Sequence, residues 1–173
     1  RETNLKAANL NWANLLEARL TRACLQEASL TEVNLKGAFL KLANLQNVDL
    51  SGVNLVEARL SGANLARVNL SKAKLARSRL HWTNLEHANL YQANLVQAGL
   101  EQANLSYACL KEADLTDANL TGATLKGTNL EKARLHGANL PQIRQMNHLP
   151  LDPPNFPQPN SYYYEHIAHH VAL

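Results

Sequence analysis

Residues 86–105 read EHANLYQANLVQAGLEQANL, four five-residue units each closing on leucine. The same beat runs from Leu5 to Leu140: leucine occupies every position divisible by five, 28 times without a miss. Neither regular period accommodates it. Steps of five residues advance about 140° around an α-helix and alternate faces along a β-strand, so both would leave leucines in water. A backbone that buries every fifth side chain has to turn a corner once per five residues. Four equal corners close a square coil of 20 residues, on which further coils stack as a solenoid.

The other positions of the beat fit such a coil. The residue two before each leucine is small in all 28 units: 20 Ala, four Val, three Thr and Ser78. It therefore points inward beside the leucine, where a larger side chain would overpack a narrow interior. The residue just before the leucine is Asn in 15 units and Asp in two, Asp49 and Asp114, while the two residues after it vary freely. Those three positions face out. An ANL unit followed by two variable residues resembles the pentapeptide repeat family, over 140 of 173 residues. The resemblance implies an all-β fold, a right-handed quadrilateral β-helix, here of seven four-sided coils. It implies no single function, because repeat folds carry many binding roles.

Corner chemistry is written in the glycines. Six of the seven (Gly37, Gly52, Gly62, Gly122, Gly127, Gly137) stand two residues after a leucine, where a type II turn requires positive φ. Corners with Glu, Arg or Gln there are expected to be type I.

The chain opens in phase, with Thr3 already a small inward residue and no cap before the first coil, so removed upstream residues or a second copy as lid are expected. All six prolines lie beyond the beat, which divides the chain into a repeat domain, 1–140, and a tail, 141–173. Residues 141–160 read as an irregular Pro-rich arm over the last coil. Tyr163, Tyr164, Ile167 and Val171 then recur at helical spacing as a short C-terminal helix, a cap or dimer contact. His166, His169 and His170 share a face of that helix, but with only Glu165 beside them a solvated face is favoured over a zinc site. No metal and no cofactor is expected.

Composition agrees with one domain whose core is Leu and Ala instead of large rings, since only 5% of residues are aromatic. The repeat carries 16 cations against 12 carboxylates, a mild +4. No apolar run is long enough for a membrane span and no leader suggests export. Cys24 and Cys109 point outward on adjacent faces, separated by four coil steps of roughly 19 Å in total, too far to pair. Free thiols fit a reducing compartment, so a cytoplasmic location is expected; removal of an upstream segment would reopen export.

No nucleophile, base and orienting group, phosphate loop or paired acid motif is recognisable, and a smooth rod offers no cleft to exclude water. A non-catalytic interaction scaffold is expected, binding a protein partner through its outer faces. Between Glu57 and Glu86 stand six cations and no carboxylate: Arg59, Arg67, Lys72, Lys74, Arg77 and Arg79. This basic belt is the candidate partner-binding surface, against the plainer reading of solvated charge. An apolar column, Leu16, Val56, Ala76 and Val96, is a second, weaker candidate. Members of the family that imitate duplex DNA bind DNA gyrase through an acidic surface, so the resemblance also supplies a gyrase or topoisomerase binder as an alternative, which the basic repeat disfavours. Binding of an anionic ligand or nucleic acid through the belt is a weaker alternative still, because the belt lacks interleaved aromatics. Homodimerisation through a coil end or the C-terminal helix is the expected mode of self-association.

Overall fold

A computed structural model describes residues 2–141, and the capping arm, the C-terminal helix and its histidines lie outside the described residues. Parallel bridges join residues 20 apart, such as Asn44 to Asn64 and Asn64 to Asn84, so each coil has four sides of five residues. We number the faces by the bridged residue of each side: the first carries Asn4 to Thr124, the second Asn9 to Asn129, the third Asn14 to Arg134, and the fourth Arg19 to Asn139. Seven coils at about 4.8 Å per step make a rod roughly 34 Å long. Each side contributes only a single bridged residue, and no longer strand forms among the described residues.

The reason for the period is visible in the backbone hydrogen bonds of one side. Asn64 N–H donates to Ala43 O at 2.9 Å in one neighbouring coil, and Leu65 N–H to Asn84 O at 2.7 Å in the other. Arg67 N–H donates to Glu86 O at 2.8 Å, and Val68 N–H closes the corner on Leu65 O at 3.2 Å. Four of five amides are thereby satisfied by backbone. The fifth, Ala66 N–H, donates to the side-chain Oδ1 of Asn64 at 3.2 Å. This side-chain bond recurs at sixteen corners, after every Asn or Asp of the bridged columns whose second neighbour has an N–H. Asparagine precedes leucine because it completes the backbone accounting.

One expectation about the corners is wrong. All six corner glycines have positive φ, as expected, but so do 21 non-glycine residues at the same position, including Glu57, Arg67, Trp82 and Gln97. The corners with Glu, Arg or Gln are thus not type I. The N–H of that residue has to point along the rod to reach the next coil, as Arg77 N–H does to Val96 O at 2.9 Å, and only the positive-φ corner aims it there. The inter-coil bond overrides a conformational cost of roughly 1–2 kcal/mol per side chain.

Inward, Leu45, Leu65 and Leu105 are fully buried and the alanines beside them nearly so. Leu5, Leu10 and Leu15 of the first coil are only half-buried. Where the small position is β-branched the corner stretches: the closing bonds of Val33, Val48, Val53, Val68, Thr83 and Thr128 measure 3.2 to 3.3 Å, against 2.9 to 3.1 Å for alanine. Val48 lies at the corner between the first and second faces, Val33 and Val53 at that between the second and third, and between these corners the second-face ladder is interrupted, with no bridge from Ser29 to Asp49 among the described residues. Thr83 Oγ1 donates to Leu80 O and Thr128 Oγ1 to Leu105 O, but the buried Ser78 hydroxyl has no partner.

Leu65→Ala is expected to cost about 2–5 kcal/mol in denaturant unfolding, because the rigid coil cannot close over the space. Ser78→Ala is expected to raise stability by about 1 kcal/mol, since it removes an unsatisfied buried hydroxyl and restores the alanine of the repeat.

Candidate partner-binding face

The square section distributes the six belt cations around the rod. All six are exposed. Arg59 and Arg79 are bridged neighbours on the fourth face, and Lys74 sits on the third between Asn54 and Asn94. Arg77, at the corner between those faces, places Nε and Nη2 on Glu57 Oε1 at 3.0 and 2.8 Å. Lys72 occupies the corner between the second and third faces. Arg67 is on the far side, lining a shallow polar depression with Gln46, Asn64, Glu86 and His87. Arg59, Lys74, Arg77 and Arg79 are thus brought together, Lys72 borders them, and Arg67 is not part of their surface.

The fourth face holds more than sequence order suggested. Its bridged column runs Arg19, Phe39, Arg59, Arg79, Gly99, so asparagine is missing from five consecutive coils. The corner amides that asparagine would serve, those of Thr21, Lys41, Ser61, His81 and Glu101, meet no acceptor among the described residues. Arg59 instead stacks on Phe39, with its guanidinium carbon 4.5 Å from the ring centroid. Arg22 and Lys41 flank this column from the following corner, beside the exposed Leu42 and Trp82. None of Arg19, Arg22, Lys41, Arg59 or Arg79 forms an ion pair among the described residues. The column Arg19, Phe39, Arg59, Arg79, Gly99 is readable in the sequence at a spacing of 20, whereas Arg22 and Lys41, on the following corner, are passed over by a count of charges along the chain.

Below the arginines the face turns polar. His81 Nδ1 and Glu101 Oε2 lie 2.6 Å apart, and Asn119 Nδ2 donates to Glu101 Oε1 at 2.8 Å. Gly99 makes the room. A Cβ there would sit 2.8 Å from His81 Cε1 and 2.9 Å from Glu101 Oε2.

Elsewhere, the Glu131 carboxylate bonded to Lys111 raises the pKa of that amine. Gln92 and then Tyr91 donate to Glu112 and lower its pKa against the effect of desolvation. Both groups stand at the corner after the second face, away from the arginine column. Cys24 and Cys109 are free, as their separation requires. Of the apolar column only Leu16 is exposed; Val56, Ala76 and Val96 are half-buried between their neighbours. Among the described residues no group of His, Cys, Asp and Glu is arranged to hold a metal, and no helix is long and apolar enough to cross a membrane.

A model of pentapeptide repeats matches residues 1–37, 43–81, 78–117 and 113–143, most of the rod. The chain belongs to the pentapeptide repeat family. Among solved structures, this pentapeptide repeat protein is similar to HetL from the cyanobacterium Nostoc sp. strain PCC 7120, a protein involved in heterocyst differentiation regulation. The two are 37% identical with a TM-score of 0.62, over 82% of this chain and 63% of HetL, so this chain spans less than two thirds of that protein. Rfr23 from the cyanobacterium Cyanothece 51142 is 27% identical over 79% of this chain and 90% of its own, with a TM-score of 0.40. QnrB1, a plasmid-mediated fluoroquinolone resistance protein, is 15% identical over 100% of this chain and 93% of its own, with a TM-score of 0.49. Comparison with curated proteins gives no match.

Gly99→Ala is expected to push His81 and Glu101 apart, leave the rod folded and cost less than about 1 kcal/mol, since the pair is partly exposed. Loss of the His81 ring contact in NMR spectra, with a small fall in melting temperature, checks this.

Proposed function

We propose that this protein is a non-catalytic interaction scaffold, a right-handed quadrilateral rod that binds a protein partner through an outer face. Five consecutive departures on the fourth face carry the reading. Each omits a side-chain bond to a corner amide worth about 0.5–1.5 kcal/mol, and none improves the core. A surface that breaks the local rule over successive coils while the core keeps it is what retention for binding would leave.

Arg59 and Arg79 stand at the centre of the proposed contact, with Lys72 and Lys74 at its margin. Arg77, tied to Glu57, and Arg67, on the far side, contribute to the general field. The partner reads charge and shape from a flat face, which needs neither cofactor nor catalytic group. The alternative of gyrase binding by DNA mimicry calls for carboxylates in place of phosphates. Here the fourth face offers guanidinium groups, so supercoiling by gyrase should proceed unaffected even at large excess of this protein. A cytoplasmic setting accords with the two free thiols. Self-association through a coil end belongs to the same proposal.

Reversal of Arg59 and Arg79 to Glu is expected to abolish affinity capture of the partner from the source cell while leaving the melting temperature nearly unchanged. Native capture should also weaken steeply as salt is added. Capture that survives both the reversal and high salt would overturn this assignment and redirect it to the other faces.

A further inference from the structure

Building on the scaffold reading, we propose that the fourth face and the corner after it bind an acidic, extended protein segment that carries at least one large apolar side chain.

The first ground is charge. From Arg19 to Trp82 this strip presents Arg19, Arg22, Lys41, Arg59 and Arg79 and no carboxylate; Glu2, one coil before Arg22 on the same corner, bounds it at one end. The rod as a whole is nearly balanced, and elsewhere Lys6, Arg77, Lys111 and Arg134 each meet an acidic partner. Among the described residues the five cations of the strip meet none; Lys36, Arg67, Lys72, Lys74, Lys126 and Lys132 are unpaired too, but without forming one strip free of carboxylates. Arg59 and Arg79 are bridged neighbours, where like charges oppose each other at one coil spacing, so an anion placed between them relieves a repulsion that the fold leaves standing. The stack on Phe39 fixes the Arg59 guanidinium while leaving its edge for a carboxylate, the geometry that guanidinium recognises best.

The second ground is the backbone. The amides of Thr21, Lys41, Ser61, His81 and Glu101 form a file along the rod, one per coil, each without an acceptor among the described residues. On the other three faces asparagine or aspartate closes most of these amides, and those left open among the described residues, at Gln26, Ala76, Lys111, Lys126 and His136, form no such file. A file of open N–H groups adds positive potential and donors for carboxylate oxygens.

The third ground is apolar. Trp82 is 68% exposed and Leu42 45%, two coils apart on the same corner. Gly62 lies between them, and Leu42 Cδ2 bends over it to 2.8 Å from where a Cβ would stand. A Trp beside arginines is the composition of an interface hot spot, and the step between the Leu42 and Trp82 side chains receives one large apolar group.

These features favour a protein segment over a duplex. Glu17 and Glu57 occupy the preceding corner and Glu101 closes the strip below, so a ligand wider than one face would set its phosphates against carboxylates. Five coils span about 19 Å, which about six residues of extended chain cover.

The test is fluorescence anisotropy with a labelled synthetic peptide alternating glutamate with leucine and phenylalanine, beside a thymidine oligonucleotide of equal charge. The full-length chain is expected to bind the peptide and to prefer it to the oligonucleotide. R59E with R79E should weaken peptide binding at least about tenfold, and Trp82→Ala should weaken it at unchanged salt dependence. The charge-matched reversals Lys126→Glu and Lys132→Glu, on other corners, should leave binding as it is. Arg59→Gln with Arg79→Gln, milder at the same positions, guards against a folding defect, with circular dichroism melting as the control. Absence of peptide binding, or binding indifferent to Arg59 and Arg79, overturns the inference while partner capture through another face would keep the scaffold reading. Tighter binding of the oligonucleotide also overturns it and makes the strip a single-strand nucleic-acid interface.

Discussion

The structure depends on one constraint: where a further coil follows, the amide two residues after the leucine points along the rod, and at all but two of these corners, Glu27 and Glu32, it donates to that coil. Every corner from Ala7 to Gly137 takes the same positive φ, whatever side chain stands there, and Glu27, Glu32 and the corners of the last coil keep it without that bond. Once the corners are fixed, a side has room for five residues, the leucine and its small companion fall inward, and three side chains remain for solvent. The Leu and Ala beat is the consequence of a hydrogen-bonding geometry as much as of core filling.

A second consequence follows at the residue after the leucine. Its amide points outward, away from both neighbouring coils, and no backbone carbonyl reaches it. Asparagine one residue before the leucine supplies the acceptor, and stacked asparagines also join each other, as Asn89 Nδ2 does to Asn69 Oδ1 at 3.1 Å. The most repetitive polar residue of the sequence is therefore structural, and function is to be sought where it is absent. On three faces the exceptions are scattered. On the fourth they are consecutive, and they bring arginine, phenylalanine and glycine in place of asparagine.

The solenoid, its four sides and its inward residues were legible because side-chain size alone dictates them. The corner conformation was not: Glu57 and Gln97 have no intrinsic preference for positive φ, and the bond that imposes it joins residues 19 apart in sequence. The reason for asparagine was hidden likewise, since its partner is a backbone amide that only the folded corner leaves open. The belt was half legible. Arg19, Arg59 and Arg79 are legible together because they recur at a spacing of 20, but Arg67 was included by sequence proximity and Arg22 and Lys41 were left out by it. In a rod of square coils, proximity along the surface means a spacing of 20, so charges have to be read down columns.

Amide hydrogen exchange followed by NMR tests the central claim most directly. The corner amides of Ala66, Ser71, Glu86 and Tyr91, each closed by an asparagine side chain, should exchange slowly. Those of Lys41, Ser61 and His81, in coils equally well packed, should exchange far faster. Equal protection of the two sets would contradict the account, because asparagine would then close nothing and its absence from the fourth face would mark no special surface.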